Sequence, residues 1–268
     1  MNNKIDGISV VIPYYNGKQF IEYTLRKLYY SLELSELNYE IILVNDNPSE
    51  SVEHLKEKYP DLVITNNQRN MGIAASRNMG KKISKYNYIY FIDQDDWVED
   101  SFFKKAKEYL EKGYDVVLFN CNIYHDDHLE KQLYRSLFKI YLKFLSGKLL
   151  IKYGNVFITP GQIVLKKDIL KDFIVTETKG SDDYFLFLDL FMNKVKIKYV
   201  EEPLFNYRSH NTNYSKTADF KKSSLECFDK YKLINPEIIK YEKLLKKRHS
   251  GDIFIRLVNT IIKKLIMR

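Results

Sequence analysis

The chain has 268 residues, of which 45% are hydrophobic and 29% charged, as in an ordinary soluble globular protein. This length suits one large domain, or one domain with a helical appendage, and excludes a fold that depends on disulfides. Cys121 and Cys227 lack the paired spacing of a metal or redox site, which favours a reducing compartment. The net charge of +8 lies entirely in residues 221–268, which argues against a general nucleic-acid binder, because such proteins carry a basic face on the folded body.

The first half of the chain alternates short apolar runs with segments of helical periodicity. Strands are predicted at residues 8–12, 39–44, 62–64, 88–92 and 115–119. Helices are predicted at residues 18–34, 51–59 and 72–84, and from about residue 100. This alternation predicts βαβ units, and the continuous apolar strands predict a mainly parallel sheet with both faces covered by helices.

The second half of the chain has a less regular pattern. The predicted elements are an amphipathic helix at 133–150, a loop at 159–162, an apolar helix at 181–192, strands at 195–200 and 204–207, and helices from 218 onward with breaks at Pro236 and Gly251. This half therefore predicts a helical region attached to the sheet rather than further regular βαβ units.

Polar clusters follow two of the predicted strands, where α/β sheets bind their ligands. Asn45-Asp46-Asn47 follows the second strand and Asp93-Gln94-Asp95-Asp96 follows the fourth. Three carboxylates in four residues repel each other unless a cation is near, and a hard divalent cation takes oxygen ligands from carboxylate and diphosphate together. The alternative is a plain loop in which Asp96 or Asp100 caps the next helix.

Four other positions have two open interpretations each. Asp46 can accept the imide N–H of a uracil or thymine ring, or form an Asx turn. Arg77, in the helix that Gly72 opens, can bind a diphosphate or belong to a surface helix. Asp183 can be a general base or a helix-capping charge, and His210 can bind a metal or phosphate or be structural.

Taken in order, these motifs resemble the family 2 glycosyltransferases, which have the GT-A fold. The residues that carry the resemblance are Val10–Asn16, Tyr39–Asp46, Asn70-x-Gly72 with Ala75–Gly80, Phe91–Asp96, Asp182-Asp183 and Glu202–His210. The match covers roughly residues 7–215. It implies an α/β GT-A nucleotide-diphospho-sugar transferase fold with a mainly parallel central sheet and a helical C-terminal extension.

The resemblance also implies a division of the chain. Residues 1–217 would form the transferase domain, with a donor-binding half at about 1–120 and an acceptor half at about 121–217. Residues 218–268 would form the basic helical extension.

The activity implied is an inverting, metal-dependent transfer of a sugar from a nucleotide diphosphate, with a UDP sugar favoured, to a saccharide hydroxyl in bacterial surface polysaccharide or glycoconjugate assembly. Asp183 would be the catalytic base, and Asp95 with His210 would hold Mn²⁺ or Mg²⁺. The implied donor-binding residues are Pro13, Tyr15, Asn16, Asp46, Asn70, Gly72, Arg77, Asp93 and Gln94. The implied acceptor-side residues are Asp182, Trp97, Gln162 and Arg208.

The sequence departs from the family pattern in three places. Asn45-Asp46-Asn47-Pro48 stands where Asp-Asp-Gly-Ser is common, and the acidic pair begins with Asp182 rather than Glu. The Gln-x-x-Arg-Trp signature of processive synthases is absent, which favours transfer of one sugar per encounter. The alternative function is a catalytically inactive sugar-nucleotide or glycan-binding protein on the same fold. It requires loss of a catalytic carboxylate, whereas Asp93, Asp95 and Asp183 are all present.

The end of the chain predicts a basic amphipathic helix. The apolar residues at helical spacing are Phe254, Leu257, Val258, Ile261 and Leu265, and the cations mostly on the other side are Arg256, Lys263, Lys264 and Arg268. Such a helix lies in a membrane interface, or docks on the domain or a second subunit. Since no signal peptide or spanning run is evident, we expect a cytoplasmic protein at the inner membrane face, acting on a lipid-linked acceptor.

Overall fold

The computed structural model describes residues 5–125, 127–178, 180–193, 195–210 and 219–268. The strands are β1 (Ile8–Tyr14), β2 (Tyr39–Asn45), β3 (Val63–Asn66), β4 (Tyr88–Phe91), β5 (Trp97–Val98), β6 (Val116–His125), β7 (His128–Gln132), β8 (Ile163–Lys166) and β9 (Ile197–Ser209). The helices are α1 (Lys18–Ser35), α2 (Leu55–Lys58), α3 (Ile73–Ile83), α4 (Phe102–Glu111), α5 (Leu137–Phe144), α6 (Gly147–Tyr153), α7 (Asp182–Met192), α8 (Phe220–Ile234), α9 (Glu242–His249) and α10 (Ile253–Ile266).

The strands form one mixed sheet in the order β3-β2-β1-β4-β8-β6-β9-β5, with β7 paired to β6. The pairs β1–β2, β1–β4, β2–β3 and β6–β9 are parallel, whereas β8 runs antiparallel to β4 and β6, and β5 runs antiparallel to β9. Tyr14 lies opposite Asn45, and Asn45 lies opposite Asn66, so three parallel strands end at one edge. The predicted α/β fold with a mainly parallel sheet is confirmed.

The apolar patterns of the first half have the expected physical origin. All seven residues of β1 are buried, as expected for a strand covered on both faces. Helix α1 buries Ile21, Leu25, Leu28 and Leu32, whose spacing of four, three and four residues forms one apolar stripe. The stripe and the strand both belong to the buried core of the first unit.

The chain divides into two compact units. The first consists of residues 1–130, 160–172 and 196–209, and the second of residues 131–159, 173–195 and 210–268. The first unit holds the sheet apart from the end of β7, and the second holds α5 to α10. The predicted boundary between residues 217 and 218 lies outside the described residues, and the division into donor and acceptor halves stays a prediction.

Several predicted elements of the chain were wrong. The single helix at 133–150 is two helices, α5 and α6, because Leu145 and Ser146 adopt extended backbone between them. The predicted helix at 51–59 is the single turn α2. The two strands at 195–200 and 204–207 are one strand, β9, whose register against β6 shifts near Asn120.

Three strands were not predicted at all. Strand β5 has only two residues, β7 (HLEKQ) is largely polar and exposed, and β8 has only four residues after a loop. Such elements carry too little apolar periodicity to be recognised. The helical region after residue 218 and its breaks near Pro236 and Gly251 are confirmed by α8, α9 and α10.

Candidate active site

The polar clusters predicted to converge do lie at one edge of the sheet, in the first unit. The main chain continues the sheet one residue past the strands: Asp46 N–H donates to the Tyr14 carbonyl at 2.8 Å, and Asn67 N–H donates to the Asn45 carbonyl at 2.8 Å. Ile92 N–H donates to the Val11 carbonyl at 3.1 Å. This pairing fixes where each loop leaves the sheet.

Asp46 holds the turn that starts α3. One carboxylate oxygen accepts from Met71 N–H at 2.7 Å and from the Asn67 amide at 2.7 Å, and the other accepts from Gly72 N–H at 2.8 Å. Gly72 has φ +86°, a backbone conformation that favours glycine. Asp46 is only 4% exposed, and its carboxylate oxygens are used by these donors. In the structure it therefore stabilises the Asn70–Gly72 turn. Its predicted contact with a nucleobase stays a prediction.

Replacing Asp46 with alanine is expected to lower the free energy of unfolding by about 3–5 kcal/mol, because three donors, two of them in buried hydrogen bonds, lose a charged acceptor and each such bond contributes about 1.5 kcal/mol or more. Urea denaturation measures the change. The matched control is Asp172→Ala, whose carboxylate is 74% exposed in its ion pair with Lys81 and is expected to contribute at most about 1 kcal/mol. Equal losses of unfolding free energy in the two variants would contradict the role of Asp46 in stabilising the turn.

Gln94 joins the acidic loop to the turn after β1. Its side-chain oxygen accepts from Tyr15 N–H at 2.8 Å, and its amide donates to the Tyr15 carbonyl at 2.9 Å. A Cβ at Gly17 would lie 2.2 Å from Gln94 Cδ, so a larger residue there would displace the Gln94 side chain from these hydrogen bonds. Asn16, at φ +54°, accepts from the Asn47 amide at 2.7 Å. Tyr15, Asn16 and Gln94, which were predicted to bind the donor, are therefore held in place by hydrogen bonds between these loops.

Arg77 lies under the acidic loop. Its side chain is 1% exposed and donates to Asp93 Oδ1 at 2.8 Å, while the Asp93 side chain is 23% exposed. A buried guanidinium beside a carboxylate neutralises part of the loop's charge. The ion pair shows that Arg77 positions Asp93, whereas its predicted contact with a nucleobase or diphosphate stays a prediction.

The acidic loop concentrates negative charge at Asp96. Asp96 Oδ1 accepts from Arg208 N–H at 2.9 Å, and its buried Oδ2 has no hydrogen-bond partner in the described part of the chain. Burial raises the pKa of Asp96 well above its ordinary value, and the negative charges of Asp95 and Asp93 raise it further. A nearby cation would relieve this electrostatic penalty.

Arg208 and Trp97, both predicted on the acceptor side, lie together beside this loop. Arg208 Nε donates to the Asp95 carbonyl at 3.0 Å, and its guanidinium also pairs with Asp127. The guanidinium carbon lies 4.9 Å from the Trp97 ring centroid and 5.2 Å from that of Phe20. Arg208 thus ties β9 to the acidic loop through backbone contacts and aromatic stacking.

The other predicted residues lie in different surroundings. Pro13 is buried within β1, and Gln162 is fully buried, with its amide 3.4 Å from the Phe119 carbonyl. Asp182 and Asp183 occupy the first turn of α7, where Asp182 is buried and Asp183 half-buried. His210 is half-buried. Asp182, Asp183 and His210 belong to the second unit, and the roles predicted for them stay predictions.

Helix α8 holds the segment that leads into α7. Thr178 donates to the Glu226 carboxylate from its N–H at 2.9 Å and from its hydroxyl at 2.7 Å. These two bonds lower the pKa of Glu226 below its ordinary value. The Ser181 hydroxyl lies 3.1 Å from that of Ser224. The predicted extension therefore supports the start of the helix that carries Asp183.

Two residues of the site escaped the sequence analysis. Asn67 bridges Asp46 and the Ser76 hydroxyl, at 2.7 and 2.9 Å, and its position after a parallel strand was a usable signal. The Thr24 hydroxyl lies 2.8 Å from the carbonyl oxygens of both Gln94 and Asp96. Thr24 sits inside α1, so no motif marked it.

Across the described ranges, no group of three or more His, Cys, Asp or Glu side chains is placed to hold an ion. A Mg²⁺ site of the kind that a diphosphate completes uses only one or two carboxylates. The residues of the Asp93–Asp96 loop fit that requirement.

Comparison with known proteins decides the family. The sequence profile of Glycosyl transferase family 2 matches residues 9–174, more than half of the chain. The chain belongs to this family. The matched residues include Asp46, Arg77 and the Asp93–Asp96 loop, and they end before α7.

Known glycosyltransferases are similar over parts of the chain. Glycosyltransferase GlyA of Streptococcus pneumoniae is 29% identical over 111 residues, which are 39% of this chain and 16% of GlyA. The uncharacterized glycosyltransferase MJ1057 of Methanocaldococcus jannaschii is 25% identical over 218 residues, which are 76% of this chain and 71% of that protein.

Solved structures support the fold. S. aureus TarS 1-349 in complex with UDP-GlcNAc matches with a TM-score of 0.62 at 17% identity, over 81% of this chain and 64% of the TarS chain. At that identity the likeness shows the shared fold. This chain spans less than two thirds of the length of either GlyA or the TarS chain.

Proposed function

We propose that the protein transfers a single sugar from a UDP sugar to a saccharide hydroxyl, with inversion at the anomeric carbon. The observation that carries the proposal is the acidic loop Asp93–Asp96 at the ends of parallel strands in a family 2 chain, tied to the Tyr15 turn through Gln94. Open α/β sheets bind ligands at this edge. The donor of the TarS complex is itself a UDP sugar, which supports the donor class.

A divalent cation, Mn²⁺ or Mg²⁺, fits the acidic loop. The proposal is supported by the repulsion that Asp95 and Asp93 exert on the buried Asp96, which a cation would lower. Asp95 would hold the ion, and His210 is the second ligand that we propose. When bound, the ion stabilises the charge that develops on the departing diphosphate. Arg77 would meanwhile hold Asp93 in place for the donor.

Asp183 is the catalytic base in this proposal. Its carboxylate takes the proton of the acceptor hydroxyl while the oxygen attacks the anomeric carbon and the bond to the diphosphate breaks. A carboxylate in the first turn of a helix is stabilised as an anion by the helix dipole. The acceptor that we propose is a saccharide of bacterial surface polysaccharide or glycoconjugate assembly.

A thermal-shift screen of nucleotide diphosphates and their sugars, with and without Mn²⁺, tests the donor class. A ligand that binds only the folded state raises its stability by about 2.7 kcal/mol at a hundred times its dissociation constant. We expect a metal-dependent shift with UDP and a UDP sugar. A chain that no nucleotide stabilises, with metal or without, would instead favour a glycan-binding role on the same fold.

A further inference from the structure

Two helices of the second unit expose apolar side chains to solvent. On α5 these are Leu137, Ile140 and Phe144, at spacings that place them on one face of the helix. On α10 they are Ile253, Phe254, Leu257, Ile261 and Leu265. Their exposed fractions range from 45% for Leu137 to 74% for Ile253. Clustered exposed apolar side chains of this size mark an interaction surface.

Helix α10 is anchored by its other face and by its end. Ile255 and Ile266 are its buried residues, and the helix packs on α5 and α6. Past its end, Met267 pairs with Tyr134 in an antiparallel bridge, and Arg135 N–H donates to the Ile266 carbonyl at 2.8 Å. The inner face is therefore used within the unit, and the wider apolar stripe remains on the outside.

The charge of this region has one sign. Residues 131–159, which include α5 and α6, hold six Lys/Arg and no Asp/Glu, and residues 253–268 hold four Lys/Arg and no Asp/Glu. On α10, Arg256 and Lys264 are exposed. A surface that combines apolar side chains with exposed cations fits a partner that is both apolar and anionic.

We propose that α5 and α10 together dock the protein on a bilayer surface that contains anionic lipid. No helix in the described ranges has the length and hydropathy to cross a bilayer, so the apolar stripes lie at the interface while the cations contact lipid phosphates. A second copy of the chain is the weaker fit, because pairing two such surfaces brings cations against cations. Helix α5 therefore contributes to the docking surface together with the terminal helix α10.

Vesicle co-sedimentation of the whole chain tests this docking. We expect binding to vesicles of phosphatidylglycerol and phosphatidylcholine, weakened by salt, and far less binding to phosphatidylcholine alone. Phe144→Ser and Phe254→Ser are expected to weaken binding, because both side chains are mostly exposed and leave the core intact. Arg256→Gln and Lys264→Gln are expected to weaken it by about fivefold each.

Matched controls separate docking through α5 and α10 from nonspecific hydrophobic or electrostatic binding to the vesicles. Leu233→Ser removes an apolar side chain that is 85% exposed on α8, and Lys104→Gln removes an exposed cation on α4, so neither is expected to change vesicle binding. Equal binding to neutral and anionic vesicles, or no binding, overturns the proposal. The proposal is also overturned if the unmodified protein is an oligomer and Phe254→Ser dissociates it, because a second copy of the chain then covers the surface. UDP-sugar binding stays intact in every variant and isolates this result from the proposed transferase activity.

Discussion

Asp183→Asn is expected to slow sugar transfer by at least about a hundredfold while leaving donor binding intact. The amide cannot take the proton of the acceptor hydroxyl, and loss of a general base lowers turnover by about a hundredfold to ten-thousandfold. Asn keeps the size of the side chain in the first turn of α7, so stability falls by no more than about 1 kcal/mol from the lost interaction with the helix dipole. Turnover by UDP release and donor affinity by calorimetry measure the two effects.

The matched control for this variant is Asp229→Asn. Asp229 is 68% exposed on α8 in its pair with Lys232, so its replacement removes the same charge from the same unit. Turnover of the control is expected to equal that of the unmodified protein. Full transfer by Asp183→Asn would reject Asp183 as the base, and parallel loss of donor binding would show that the residue acts in binding instead.

Asp95→Ala is expected to remove the metal-dependent part of donor affinity. With Mn²⁺ present, we expect the dissociation constant of a UDP sugar to rise by roughly a hundredfold, which corresponds to about 2.7 kcal/mol. The physical reason is that the diphosphate and the loop carboxylates repel each other once the ion is lost. Calorimetric titrations with and without Mn²⁺ separate the metal-dependent part from the rest.

Asp100→Ala controls for the loss of a carboxylate on the same stretch of chain. Its carboxylate is 51% exposed and pairs with Lys27 at 3.1 Å, away from the buried Asp96. Donor affinity is expected to be unchanged in this variant. If Asp95→Ala binds the donor with metal as tightly as Asp100→Ala does, Asp95 is not the metal ligand.

The sheet and its active edge could be predicted because the relevant signals are local. Strands β1, β2 and β4 read as continuous apolar runs since both faces are covered, and helices α1 and α3 carry clear periodicity. Asp46 and the Asp93–Asp96 loop directly follow such strands. Ligands bind at the carboxyl ends of parallel strands, and this rule was enough to predict that Asp46 and the Asp93–Asp96 loop lie at the same edge of the sheet.

The partners of these residues could not be predicted from local patterns. The carboxylate of Asp46 is used by Met71 and Gly72, and Arg77 is buried against Asp93, because tertiary packing decides which donor reaches which acceptor. The break between α5 and α6 had one local signal, Gly147 directly after Ser146, but the apolar periodicity of the sequence continues across it. Short or polar strands such as β5 and β7 form only because neighbouring strands offer them hydrogen bonds.

The most direct test of the transferase proposal is the configuration of the sugar released from an α-linked UDP sugar in the presence of Mn²⁺. Proton NMR during the first turnovers distinguishes the anomer formed by the enzyme from the one formed later by mutarotation. We expect the β anomer to appear first, release to need the metal, and Asp183→Asn to release the sugar at least about a hundredfold more slowly. Initial release of the α anomer, or release at the same rate without the metal, would contradict the proposal.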